Sequence, residues 1–340
     1  MIHGHGDDIT DSRLVRVNMS SNVLTHPDHS GLFAHLAETM GDVCHYPEAS
    51  PSSLEAEIAR RHGVQPGEVM VTNGATEAIY LVAQAFRGAH SFVMTPTFSE
   101  YADAARMHGH RVTNLSLASS LALGGEDSAI VWICNPNNPT GSVMPKDELR
   151  DVIEENPNAL FVLDQSYEHF TREPLFGIAE AVEMHNVVLL HSMTKHFCVP
   201  GLRIGYVTAC PSLLDAIRQM RMPWSVNQVA VSAAGYLLCH RTDYAFDLDA
   251  LLAERERVAE ALERMRVVEV YPSQSHILLC RLRIGKAQAL KEYLLEHHGI
   301  LIRYAGNFHG LDDTHFRIAV QQHREDNDAF LSAFAEWMMA

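Results

Sequence analysis

Four short apolar runs constrain this chain more than any other feature. They are SFVMT (91–95), AIVWIC (129–134), LFVLD (160–164) and VVLLH (187–191). Each is continuous rather than alternating, and helical patterns separate several of them. A strand that is apolar throughout is buried on both faces. That is the condition of a mostly parallel sheet covered by helices. VMVT (69–72) reads as a further strand, running through NGA into a helix with Ile79, Val82, Ala83 and Phe86 on one face. Upstream, Ser52 and Glu55 have the spacing of a capping box for the helix SLEAEIARRH, which Gly63 closes.

Beyond the helix near 225–240 the texture changes. A long charged helix (about 247–266) leads to strands near 267–271 and 276–282, a helix near 286–298, strands near 300–304 and 315–320, and a last helix. This order predicts a smaller α+β unit packed on the first, with no flexible linker between them. A chain of 340 residues with 47% apolar composition has material for both cores.

Charge narrows the partners. The net charge, 26 − 42 = −16, disfavours nucleic acid or an anionic membrane surface. A few converging arginines can still make one pocket cationic. Six scattered cysteines without a C-x-x-C pair read as reduced thiols in the cytoplasm. The polar start MIHGHGDDIT has no signal-peptide core. No apolar run approaches the ~18 residues of a membrane span. The 21 histidines show no metal-ligand spacing, so no metal is expected.

The chemistry gathers at strand exits. VMVT is followed by Asn73-Gly74-Ala75-Thr76, AIVWIC by NPNNPTG (135–141), LFVLD ends in Asp164 with Tyr167 close behind, and VVLLH leads to Ser192-Met193-Thr194-Lys195. Open α/β sheets bind ligands at these carboxyl ends. The four lysines are Lys146, Lys195, Lys286 and Lys291, and Lys195 alone sits at a strand exit. A desolvated lysine becomes a nucleophile able to form a Schiff base. Pyridoxal 5′-phosphate uses such a lysine, together with an acid facing its pyridinium nitrogen, and Asp164 suits that part. The NGAT turn into a helix supplies N–H groups for the phosphate, with Arg203, Ser192 and Thr194 adding donors. Asn138 and Tyr167 are placed to hydrogen-bond the ring oxygen. Each feature alone is commonly structural: a turn, a cap, or a snorkelling lysine. Their joint order at strand exits is what points to the cofactor.

On VTNGATEAI, NPNNPTG, the D-x-x-Y of DQSY, and S-x-T-K followed by GLRIGY, the chain resembles the class I/II, fold-type-I pyridoxal-phosphate-dependent aminotransferases over essentially its whole length. The resemblance implies a seven-stranded large domain, a small domain and a homodimer with shared active sites. It divides the chain into an N-terminal arm (1–45), a cofactor-binding domain (46–235) and a small C-terminal domain (236–340). It makes Lys195 the Schiff-base lysine, Asp164 the pyridinium partner, and Asn138 and Tyr167 ligands of the 3′-oxygen. Ala75, Thr76, Ser192, Thr194 and Arg203 become the phosphate site. Tyr101 would stack on the ring, and Tyr46 would reach the other subunit's cofactor phosphate. DQSY departs from the D-E-A-Y or D-E-A-F of many relatives.

Within the family the chain is similar to the branch holding histidinol-phosphate aminotransferases and threonine-phosphate decarboxylases. Arg317 then meets the substrate carboxylate and Arg303 a substrate phosphate. HGDD and SSN resemble the H-G-G-N and S-A-N of the decarboxylases, placing His5 near the phosphate and Asn22 near the carboxylate. The MPWSVNQ and LIRYAGNFHGLDDTHFRIAV stretches lean the same way. The implied reaction is decarboxylation of L-threonine O-3-phosphate, a step toward the cobalamin side chain. Histidinol-phosphate transamination is the alternative. A non-catalytic cofactor-binding regulator is a third, disfavoured by the acidic charge and the absence of a helix-turn-helix pattern before residue 45.

Overall fold

The computed structural model describes residues 14–23, 27–116 and 129–339. His5, expected near the substrate phosphate, lies outside them. The strands in chain order are β1 (Val17–Asn18), β2 (Val69–Thr72), β3 (His90–Thr95), β4 (Arg111–Ser116), β5 (Ala129–Cys134), β6 (Leu160–Asp164), β7 (Val187–Ser192), β8 (Gly205–Ala209), β9 (Val268–Val270), β10 (Ile277–Leu282), β11 (Ile300–Leu301), β12 (Arg303–Tyr304) and β13 (His315–Ala319).

Seven of them form one sheet in the order β2-β8-β7-β6-β5-β3-β4. All neighbours are parallel except at β8, which runs antiparallel to both β2 and β7. Alternation along each strand splits the core in two. Val131, Ile133, Phe161, Leu163, Val187 and Leu189 pack on one face. Ile130, Trp132, Leu160, Val162, Val188 and Leu190 pack on the other. Both faces are covered, which is why these runs are continuously apolar.

A second, antiparallel sheet has the order β12-β13-β10-β9. Its core joins Leu278, Phe316 and Ile318 to residues of three helices: Leu248–Arg264, Ala287–His298 and Arg324–Met339. β1 pairs in parallel with β11, so the chain's start is tied to its C-terminal third. The expected strand near 300–304 is two short strands in different sheets. No helix among the described residues is long and apolar enough to cross a membrane.

β1 and β8 were not read from the sequence, and two further features differ from its expectation. β4, RVTNLS, is mostly half-buried at the sheet's edge and too polar to show a strand pattern. The capping box does not form. The helix Ser52–His62 begins after Pro51, and the Glu48 carboxylate accepts the Ser53 N–H at 3.0 Å. Glu55 turns inward instead, 5% exposed, accepting the Val71 N–H at 3.0 Å and pairing with Arg221 at 2.9 Å. A buried ion pair outweighs a surface cap here. Gly63 closes the helix in the left-handed region (φ 69°), as expected.

Candidate active site

Register brings the motifs together. Asp164 ends β6 paired with Cys134 of β5 on one side and Leu190 of β7 on the other. NPNNPTG and S-M-T-K therefore leave the sheet beside it. The turn at 73–74 feeds the helix Gly74–Ala85, and Ala75 and Thr76 lie in its first turn. A first chamber of about 250 Å³ opens there, lined among others by Asn22, Ala75, Thr76, Phe98, Tyr101, Asn138, Asp164, Tyr167, Ser192, Thr194, Lys195, Arg203 and Arg317.

Lys195 is half-buried, and its Nζ donates to the Ser21 carbonyl at 3.2 Å and stands 5.7 Å from the Tyr167 ring centre. Asp164, 4% exposed, accepts the Tyr101 hydroxyl on Oδ2 at 2.7 Å. Its Oδ1 accepts the Ser166 N–H at 2.9 Å and the Ser166 hydroxyl at 2.6 Å. Burial and then the Asp164 charge push the Tyr101 phenol well above its ordinary value, so that hydroxyl keeps its proton and donates it. Burial likewise raises Tyr167, whose oxygen accepts from Asn22 Nδ2 at 2.9 Å. Asn22 sits at φ 56°, a left-handed conformation that Asn tolerates.

The phosphate end is shaped by two glycines. A Cβ on Gly205 would lie 2.8 Å from the Ala75 nitrogen and 2.6 Å from the His191 oxygen. A Cβ on Gly74 would lie 2.7 Å from the Arg203 guanidinium. Arg203 is itself left-handed at φ 55° and donates to the Pro200 carbonyl at 3.1 Å. The arrangement packs backbone N–H groups, a guanidinium and the Ser192 and Thr194 hydroxyls around one spot at a helix N-terminus. That is an anion cradle. The donor set fits pyridoxal phosphate: a cradle for its phosphate, a carboxylate for its ring nitrogen, and a lysine for its aldehyde.

A second chamber of about 300 Å³ adjoins the first and shares Phe98, Asn138 and Arg317 with it. Arg303, Arg106, Asn307 and His309 line it. Arg317, 3% exposed, donates to Asn138 Oδ1 at 2.5 Å and also to the Ser20 carbonyl. Arg303, 6% exposed, donates to Asn307 Oδ1 at 3.1 Å and lies over the Phe308 ring. These two arginines are direct cross-strand partners on β12 and β13.

The chain carries the pattern of the family model for class I and II aminotransferases over residues 16–334. It belongs to that family, whose cofactor is pyridoxal 5′-phosphate. A histidinol-phosphate aminotransferase of Thermococcus gammatolerans is 32% identical over 86% of the chain and 82% of the relative. A threonine-phosphate decarboxylase of Salmonella typhimurium is 28% identical over 88% and 84%. Among solved structures, an L-threonine-O-3-phosphate decarboxylase of Porphyromonas gingivalis superposes with a TM-score of 0.91 at 36% identity, covering 95% of this chain and 100% of that one. The fold-type-I architecture expected from sequence is thereby established.

The expected site residues fall as follows. Those at strand exits, with Asn22 and Arg317, converge on the first chamber, and Arg303 lines the second. Tyr101 lines the first chamber but is 1% exposed, its ring stacked on Trp132 at 5.8 Å and its hydroxyl on Asp164. Tyr46 reaches neither chamber of its own chain. It is 87% exposed beside Trp224. Sequence reasoning passed over Phe98, which borders both chambers, although it lies three residues before Tyr101 in PTFSEY. It also passed over the Ser20 and Ser21 carbonyls, whose backbone contacts leave no mark on residue type.

Proposed function

We propose that this enzyme decarboxylates L-threonine O-3-phosphate to (R)-1-amino-2-propanol O-2-phosphate, as a cytoplasmic homodimer. The observation that carries this reading is the Arg303–Arg317 pair. Like charges directly opposite on neighbouring strands repel, and burial removes the water that would screen them. Both guanidinium groups line the second chamber, where a substrate's anionic groups would meet them. A substrate with a carboxylate and a phosphate on adjacent carbons engages both guanidinium groups at once. Histidinol phosphate carries a phosphate and no carboxylate, so in the rival reaction it would engage one of the two, and the dicarboxylate 2-oxoglutarate would meet both only in the other half-reaction. The likeness to the Porphyromonas decarboxylase supports the same choice.

Bound pyridoxal phosphate supplies an electron sink that weakens a bond at the substrate Cα. The chain's own residues decide which bond. Arg317, braced by Asn138 and the Ser20 carbonyl, holds the carboxylate, and Arg303 holds the phosphate. Two fixed points would set the rotation about Cα and so choose the bond that is weakened. Asp164 would accept the hydrogen bond of the protonated ring nitrogen, Asn138 and Tyr167 would meet the ring oxygen, and Lys195 would return a proton to Cα.

Exposed Phe33, Met40, Val43, Tyr46, Met222 and Trp224 supply apolar surface for a second copy. The 32% identity to a histidinol-phosphate aminotransferase favours the rival reaction. One assay separates them. The purified holoenzyme is given L-threonine O-3-phosphate without any keto acid, and CO2 is followed. Release is expected. No release, with histidinol phosphate passing its amino group to 2-oxoglutarate to give glutamate and the corresponding keto product, would establish the rival instead.

A further inference from the structure

Asp164 makes more hydrogen bonds than a ring-facing carboxylate needs to stay in place. An ionised carboxylate offers about four lone-pair sites. This chain fills both sites on Oδ1, with the Ser166 N–H at 2.9 Å and the Ser166 hydroxyl at 2.6 Å. It fills one site on Oδ2, with the Tyr101 hydroxyl at 2.7 Å. Neither hydroxyl is incidental. Tyr101 is fully buried and keeps its proton, and the Ser166 bond has the short length of a charge-assisted O–H···O⁻ contact. A single acceptor position, on Oδ2, remains for a ring N–H.

We infer that Ser166 is a positioning residue, whose hydroxyl occupies Oδ1 and so commits Oδ2 of Asp164 to the cofactor nitrogen. Without the Ser166 hydroxyl, Oδ1 keeps only the backbone N–H and regains an open lone-pair site, so that it competes with Oδ2 for the ring proton. With both donors from Ser166 in place, Oδ1 is filled and Oδ2 alone is open. The inference rests on the cofactor assignment and is independent of the substrate.

The test compares wild type, Ser166→Ala and Ser166→Thr as holoenzymes, with no substrate added. Two readouts are taken: the dissociation constant of pyridoxal phosphate from the apoenzyme, by fluorescence titration, and the visible absorption band of the lysine-bound cofactor. Ser166→Ala is expected to weaken cofactor binding about three- to tenfold and to displace the band. Ser166→Thr, which keeps the hydroxyl, is expected to restore both. An alanine variant with wild-type affinity and band overturns the inference. So does a threonine variant as impaired as alanine, because the effect is then one of volume. If alanine prevents folding, Ser166→Cys replaces it, a weaker donor of similar size. Intermediate loss is expected there, and wild-type values contradict the proposal. Any of these failures leaves the decarboxylation assay unaffected.

Discussion

The two chambers share a wall and differ in how they are made. The first is assembled from the ends of neighbouring strands in one sheet, so each contributor follows an apolar run directly in sequence. The second is assembled across sheets, from the segment 95–106, Asn114, Asn138 and the β12–β13 end of the small sheet. In the first, polar groups meet opposite or complementary partners: Asp164 has three donors, and Lys195 has a carbonyl. In the second, two buried arginines are cross-strand neighbours that donate to side-chain amide oxygens, Arg317 to Asn138 and Arg303 to Asn307, and Asp103 shares the lining. The first chamber is built around an anion cradle and a carboxylate, the second around two guanidinium groups.

This contrast is open to attack by substitution. The largest effect belongs to the first chamber. Lys195→Ala is expected to lower turnover at least about 10⁴-fold and to abolish the cofactor adduct trapped by borohydride, read by mass spectrometry. An adduct on another lysine would undo the site. At the shared wall, Arg317→Ala should lower kcat/KM about 10²- to 10³-fold, the scale for leaving a buried charged partner unmatched. Cofactor affinity should change far less, because Arg317 faces the substrate. A comparable loss of both in steady-state and binding measurements would merge the chambers into one function.

A smaller effect concerns pH and the first chamber's backing. Burial pushes His276, packed against Phe170 and Tyr167, down to about 3, with Arg317 and Lys195 adding to the effect. Burial likewise takes His196 down to about 3, with His169 and Arg241 adding their charge and Glu168 opposing it. A folded value below the ordinary 6.5 means the unfolded chain takes the proton first. Stability is therefore present above about pH 6.5 and falls as pH drops toward 3, by about 1.4 kcal/mol per unit for each such group. The urea midpoint should fall between pH 7 and 5.5, and His276→Gln should flatten that fall. An unchanged slope in the variant would show that His276 is not held neutral.

The same comparison explains what was legible in sequence. NGAT, NPNNPTG, D-x-x-Y and S-x-T-K could be placed because each is contiguous and follows a strand marked by its apolar run. β8, GYVTA, was not read as a strand, because its glycine and threonine interrupt the apolar run, and its antiparallel direction left no mark either. Glu55 showed the spacing of a cap, and a partner 166 residues away, Arg221, took it inward. Asn307 and His309 lie in a stretch whose resemblance was noted without a role for either, and Arg106 carries no local pattern, so the lining of the second chamber emerges only when two sheets meet. Ser166 was visible as a departure from D-E-A-Y, but its meaning depended on the Asp164 hydrogen bonds.

The division of labour between the chambers is tested most directly by Arg303→Met, with three quantities measured on one preparation: kcat/KM for L-threonine O-3-phosphate, the pyridoxal phosphate dissociation constant, and the thermal midpoint without substrate. Removing one of two opposed buried charges should cost about 10²-fold or more in kcat/KM. It should leave the cofactor constant unchanged, with the thermal midpoint showing that the variant is folded. Unchanged kcat/KM, or a cofactor constant that worsens in step with it, would contradict the account.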